Sequence, residues 1–181
     1  KNSYFFTSES VSEGHPDKIC DQISDSIVDA YLSKSDSKDD VRVACETMVT
    51  TNKVIIAGEV RGPEISIEEQ ENIVRKVVKE IGYEQENFHW EKFEFNSFLH
   101  EQSADIAQGV DSNDLRTEGA GDQGIMFGYA CTETKEFMPA AIQYSHQILK
   151  SLSEHRKMGK VPGVLPDSKS QITLIYEDNK P

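Results

Sequence analysis

Ile19, Ile23, Ile27 and Tyr31 recur at every fourth position directly after Pro16, the spacing of one buried face of an α-helix. Pro16 suits the first helical position, because the N–H it lacks is one the helix could not use there. Upstream, Tyr4-Phe5-Phe6-Thr7 reads as a short strand. The two are joined through Glu13-Gly14-His15-Pro16-Asp17-Lys18. A strand that passes so tightly into an amphipathic helix implies a helix lying on a sheet.

The pattern continues in the same sense. Ser33 to Asp40 is a polar connector. Val41, Val43, Cys45, Thr47 and Val49 then alternate with more polar residues, as a half-buried strand does. Thr51-Asn52 marks a turn, and Val54 to Val60 is a second strand, so the pair predicts a hairpin. Ser66 with Glu69 makes a capping box before Ile73, Val74, Val77, Val78 and Ile81, and Gly82 is placed to end that helix. Phe93, Phe95, Ser97 and Leu99 alternate as a further strand. The order is β-α-β-β-α-β, an α+β class in which two helices pack on one face of a sheet.

Glu101 to Gly124 is polar, holds four glycines and has no apolar period, so it reads as a long loop of the kind that serves a function. Ile125 to Thr132 is expected to be a strand. Pro139 to Met158 is expected to be a helix with Pro at its start and Gly159 past its end, its stripe being Ile142, Ser145 or His146, Leu149 and Leu152. Gln171 to Tyr176 reads as another strand. This second half resembles the first begun again, and Glu177-Asp178-Asn179-Lys180-Pro181 has the composition of a hairpin turn. The expected organisation is a first repeat over 1–100, a loop over 101–118, and a second, incomplete repeat over 119–181. The chain is expected to be part of a longer polypeptide.

Charge narrows the partners. Lys and Arg total 19 against 32 Asp and Glu, a formal net charge of −13 in 181 residues. Neither nucleic acid nor an anionic membrane is expected, since phosphate backbones and headgroups call for basic patches. A small phosphorylated molecule that arrives with its own Mg²⁺ is compatible. Cys20, Cys45 and Cys131 are odd in number, widely spaced and without metal-ligand spacing, which suits reduced thiols. With no signal peptide or long apolar run evident, a soluble cytoplasmic protein is expected.

The Glu13–Lys18 turn crowds a His, an Asp and a Lys at the positive end of a helix dipole, beside backbone N–H groups without helical partners. Such a corner suits a phosphate, with Asp17 suited to the phosphate's magnesium. Two look-alikes fail on context. Gly119-Ala120-Gly121-Asp122-Gln123-Gly124 matches G-x-G-x-x-G, but the dinucleotide fingerprint follows a strand and opens a helix, whereas here a polar loop precedes and an apolar run follows. His15-Pro16-Asp17 is also the tripeptide of J-domain co-chaperones, where it lies between two helices rather than after a strand.

Phe6-Thr7-Ser8-Glu9-Ser10-Val11-Ser12-Glu13-Gly14-His15-Pro16-Asp17-Lys18 and Gly119-Ala120-Gly121-Asp122-Gln123-Gly124-Ile125-Met126-Phe127-Gly128-Tyr129-Ala130 both resemble the S-adenosylmethionine synthetase (methionine adenosyltransferase) family. Ala44-Cys45-Glu46-Thr47, Ala57-Gly58-Glu59-Val60 and Pro166-Asp167-Ser168-Lys169-Ser170-Gln171 extend the likeness in order to Tyr176. The family's chains are roughly twice as long and contain three such repeats, so the likeness also implies a longer polypeptide.

The resemblance implies synthesis of S-adenosylmethionine from ATP and L-methionine, by attack of the thioether sulfur on C5′ of ATP, followed by hydrolysis of the released triphosphate. A neutral thioether has no proton to lose, so no general base is needed at the nucleophile. The need is electrostatic, for charge gathering on triphosphate and for a new sulfonium. By resemblance, His15, Lys18 and Asp122 are catalytic, and His15, Lys18, Asp167 and Lys169 bind ATP. Glu59, Gln102 and Asp122 hold methionine, Asp17 binds Mg²⁺ and Glu46 binds K⁺. Gln102 to Asp111 corresponds to the family's mobile active-site lid, with Ala104 where proline is usual. Leu165 stands where the family usually carries Arg. A homodimer or homotetramer with active sites between subunits is implied. The alternative is a catalytically silent half-site that serves as a nucleotide-binding or dimerisation module.

Overall fold

The computed structural model describes residues 3–37, 41–102, 124–178 and 180–181. Strand β1 (Ser3–Val11) leads into α1 (Pro16–Lys34), whose buried face is Ile19, Ile23, Ile27 and Tyr31, as the spacing predicts. His15 caps this helix, its Nδ1 accepting from the Asp17 N–H at 3.2 Å. Strands β2 (Arg42–Thr50) and β3 (Lys53–Arg61) form the expected antiparallel hairpin, with Asn52 taking the left-handed conformation at its tip. The capping box of α2 (Ile67–Ile81) is formed in both directions at Ser66 and Glu69. Gly82 ends the helix in the left-handed region that favours glycine.

A small hairpin, β4 (Glu84–Gln85) with β5 (Phe88–His89), follows α2 and precedes β6 (Glu94–Glu101). Its strands, of two residues each, leave no periodicity in the sequence. Its role is packing: Phe88 lies edge-on to Tyr83 and stacks against Phe93. β6 runs parallel to β3, so the main sheet has the order β2-β3-β6, with α2 as the crossover. Side chains of α1 and α2 meet Cys45, Val54, Ile56 and Phe93 in one core, which puts both helices on one face of that sheet. The α+β class and the one-sided helix layer therefore stand. The opposite face carries Glu46, Met48, Ile55, Glu59 and Phe98 by strand alternation, and Met48 and Phe98 are exposed.

Three expectations need correction. β1 does not join the sheet of the repeat it begins. It pairs antiparallel with β7 (Lys169–Glu177), from Ser3 opposite Glu177 to Val11 opposite Lys169, under α3 (Ala140–Lys157). Local patterning shows that a segment is extended but not which edge it will bond to. Ile125 to Thr132 is not a strand: Met126 and Phe127 are more than nine-tenths exposed. An apolar run becomes a strand only where an edge is available, and no strand forms over those residues here. Lastly, Pro139 precedes α3 instead of opening it. Because proline offers no capping side chain, Glu133 takes over, its Oε2 accepting from the Ala140 N–H at 2.8 Å. The stripe of α3 is Ala140, Ala141, Ser145 and Leu149, with Ile142 and Leu152 only half-buried and His146 turned outward. No helix among the described residues is long and apolar enough to cross a membrane.

Candidate functional site

The β1–β7 pairing decides what meets what. It lays the loop that precedes β7, with Pro166, Asp167 and Ser168, against the turn between β1 and α1. Ser12 Oγ donates to the Pro166 carbonyl at 2.6 Å and accepts from the Ser168 N–H at 2.8 Å, while the Ser12 N–H donates to the Ser168 carbonyl at 2.9 Å. Gly14 is pressed so closely onto Pro166 that a Cβ there would lie 2.5 Å from its carbonyl carbon, its oxygen and its Cβ. Tyr83 donates its hydroxyl to the Gly14 carbonyl. Burial and the nearby Asp167 carboxylate push the Tyr83 phenol up to about 12, partly offset by Arg156, so it keeps the proton this bond requires.

The sequence-predicted residues thus fall into two groups. His15, Asp17 and Lys18 sit on the first turn of α1, and Asp167 and Lys169 lie on the segment clamped beside it. The Asp17 carboxylate is 88% exposed and reaches to 3.7 Å from His15 Nδ1, while the His15 side chain is 17% exposed. Gln22 fixes the chain between them, its Nε2 donating to the carbonyls of Glu13 and Lys18 at 2.9 Å each. An open cleft of about 560 Å³ runs from Lys18 and Gln22 to His146 and Lys150 of α3. His15, Asp17, Asp167 and Lys169 do not line it, so the cleft adjoins the corner without being it.

The second group lies on the main sheet. Glu59 stands opposite Ala44 and Glu46 opposite Ala57, so both project from the face turned away from α1 and α2. Gln102 continues from β6, its N–H donating to the Val60 carbonyl at 3.0 Å. Its Oε1 is buried with no hydrogen-bond partner among the described residues, a cost relieved when a donor arrives. The sheet stands between this group and the His15 corner. Asp122 lies outside the described residues, as do residues 103–111 of the expected lid and 103–118 of the expected loop.

As for ions, no group of three or more His, Cys, Asp or Glu side chains among the described residues could hold a metal. Magnesium does not need such a cage, since one or two carboxylates suffice when substrate phosphates and waters complete the octahedron. Asp17 fits that donor set. Glu46 offers a single exposed carboxylate toward potassium.

Sequence reasoning missed the residues that hold the corner in place. Glu13 accepts from Arg156 Nη2 at 2.8 Å, from Lys157 Nζ at 2.7 Å and from Ser153 Oγ. Burial by itself raises the Glu13 carboxyl, but hydrogen bonds from Lys157 and Ser153 and the charges of Lys157 and Arg156 hold it below its ordinary value. Ser10 and His146 Nδ1 are 2.6 Å apart, and burial with the Lys18 charge lowers the His146 pKa. All four contacts join residues more than 130 positions apart, for which no local signal exists.

Fold and corner together define an α+β protein with two converging segments, one histidine- and lysine-bearing, the other carrying Asp167 and Lys169. Comparison with known proteins narrows the class. Residues 3–104 match the model of the S-adenosylmethionine synthetase N-terminal domain, and 117–181 match that of the central domain. The chain is 60% identical over 181 residues to the S-adenosylmethionine synthase of Rhodospirillum centenum, covering all of this chain and 46% of the relative. It is 59% identical over 180 residues to that of Pelagibacter ubique, covering 99% of this chain and again 46% of the relative. The chain belongs to the S-adenosylmethionine synthetase family. It spans about half the length of the curated relatives it matches.

Proposed function

We propose that this chain supplies the ATP-polyphosphate corner and part of the methionine site of an S-adenosylmethionine synthase. In this reading the methionine sulfur attacks C5′ of ATP, triphosphate departs, and it is then hydrolysed. The observation that carries the proposal is the clamp at Ser12, Gly14 and Pro166, which brings the turn of His15 and Lys18 beside the segment of Asp167 and Lys169. Lys18 and Lys169 contact polyphosphate oxygens, and His15 steadies the charge that builds on the departing oxygen. Asp17 holds Mg²⁺, which neutralises phosphate charge when bound. Glu59, Gln102 and Asp122 hold methionine, Asp122 also serving catalysis, and Glu46 ligates K⁺. The preorganised groups do their work without a general base at sulfur.

The two groups of residues face away from one another across the sheet. One substrate pair touching both therefore needs a second copy of the chain, which favours a homodimer or homotetramer with sites between subunits. Exposed Met48 and Phe98 on the Glu46–Glu59 face support an apolar contact there. The division into 1–100, a lid and linker over 101–118, and 119–181 belongs to the same reading.

The test is mass-spectrometric detection of S-adenosylmethionine after incubation with ATP, methionine, Mg²⁺ and K⁺, with MgATP titration in parallel. Product supports the synthase reading in full. MgATP binding without product supports the silent half-site as the second reading. The absence of both product and MgATP binding refutes the polyphosphate corner.

A further inference from the structure

Within the turn that carries His15, Asp17 and Lys18, the acidic residue Glu13 has no assigned role, yet it is the most heavily tied. Its carboxylate collects Arg156 Nη2 at 2.8 Å, Lys157 Nζ at 2.7 Å and Ser153 Oγ, all from the last turns of α3. The same Arg156 nitrogen donates to the carbonyl of Ile81, the last residue of α2, at 2.7 Å. One ion pair therefore joins the β1–α1 turn to the ends of two other helices. The side chains of Arg156 and Glu13 are only 12% and 23% exposed, so water screens the pair weakly. Breaking such a pair from one side leaves the other charge stranded.

We propose that the Glu13–Arg156 pair is a positioning device: it fixes the turn that carries His15 and Lys18, so that a polyphosphate meets those groups already in place. The inference rests on the corner being a polyphosphate site. Neither residue touches the ligand in this account; the pair acts through the backbone of residues 13–18. Both bonds leave one nitrogen of a rigid, planar guanidinium, whereas a lysine ammonium is a point charge on a flexible stem and holds the two acceptors less firmly. Gln22 and Tyr83 hold neighbouring carbonyls of the turn and Ser12 ties its start to Pro166, but these groups are neutral and none of these bonds reaches α3.

The experiment compares the full 181-residue chain with Glu13→Gln, Arg156→Ala and Arg156→Lys. Amide hydrogen exchange is read residue by residue, and MgATP is titrated into each protein. Expected is exchange at residues 14, 15, 17 and 18 quickened about tenfold in Glu13→Gln and Arg156→Ala, with Val74 and Val78 of α2 much less affected. Arg156→Lys, the variant most certain to fold, should fall between these and the parent. MgATP affinity should drop about tenfold or more, the loss typical when a supporting partner is removed. Uniform quickening across α2 and the turn would reduce the pair to a structural tie and overturn the proposal. So would a loosened turn with unchanged MgATP affinity. If the parent chain itself fails to bind MgATP, the polyphosphate reading falls, while the exchange contrast still decides whether the pair holds the turn.

Discussion

Gly14→Ala is the sharpest perturbation of the corner. Gly14 is buried, and its replacement Cβ would sit 2.5 Å from three atoms of Pro166. Carbon atoms rest at about 3.5–4.0 Å, so the overlap is about 1 Å at each. Two of those atoms are backbone and the third belongs to a closed ring, so none can rotate aside. Relief requires the 166–168 loop to move off the turn, which strains the Ser12 bonds at 2.6 and 2.8 Å. Overpacking costs about 1–3 kcal/mol, and each weakened hydrogen bond adds up to about 1 kcal/mol. Alanine restricts the unfolded chain and returns about 0.5 kcal/mol. The net loss centres on about 2.5 kcal/mol, a fall in Tm of about 5–10 °C for a domain of this size. Thermal unfolding followed by circular dichroism measures it, with MgATP titration on the same samples. Gly128→Ala is the control, because nothing lies within 4 Å of the Cβ added there. A Gly14→Ala protein that melts with the control and binds MgATP equally well would refute the clamp.

Other consequences follow from the same geometry. Glu13 has a folded-state pKa below its ordinary 4.5, so its stabilisation is fully present above that value and is lost as pH falls through the lower folded value; Glu13→Gln should flatten that part of the acid limb in a plot of Tm against pH. Ser66→Ala removes the N-cap of α2 and should cost about 1 kcal/mol, read as a Tm lower by about 2–4 °C. Asp17→Asn, at an exposed position, should leave Tm unchanged while weakening the magnesium dependence of ATP binding; unaltered magnesium dependence would remove Asp17 from that role.

Much of the local architecture was legible because it is written in short periods. The Ile19–Tyr31 stripe, the Ser66–Glu69 box, the Gly82 stop and the Thr51-Asn52 turn each depend on residues a few positions apart, and each formed as read. The strand expected at Ile125 to Thr132 failed for a related reason. Apolar character reports that a segment wants burial, but not that an edge is free to receive it.

What the sequence determined by itself was the α+β alternation, the helix caps, the hairpin and the family motifs, because propensity and periodicity act between near neighbours. What only the tertiary structure decided was long-range pairing. The sequence places β1 beside its own repeat, yet β1 bonds β7, more than 150 residues away, and in doing so sets Ser12 and Gly14 against Pro166. That contact, the Glu13–Arg156 pair, and the separation of Glu46 and Glu59 from the His15 corner by a sheet have no local signature. Backbone hydrogen bonding is indifferent to sequence, so which edges meet is settled by how the assembled faces bury their apolar area.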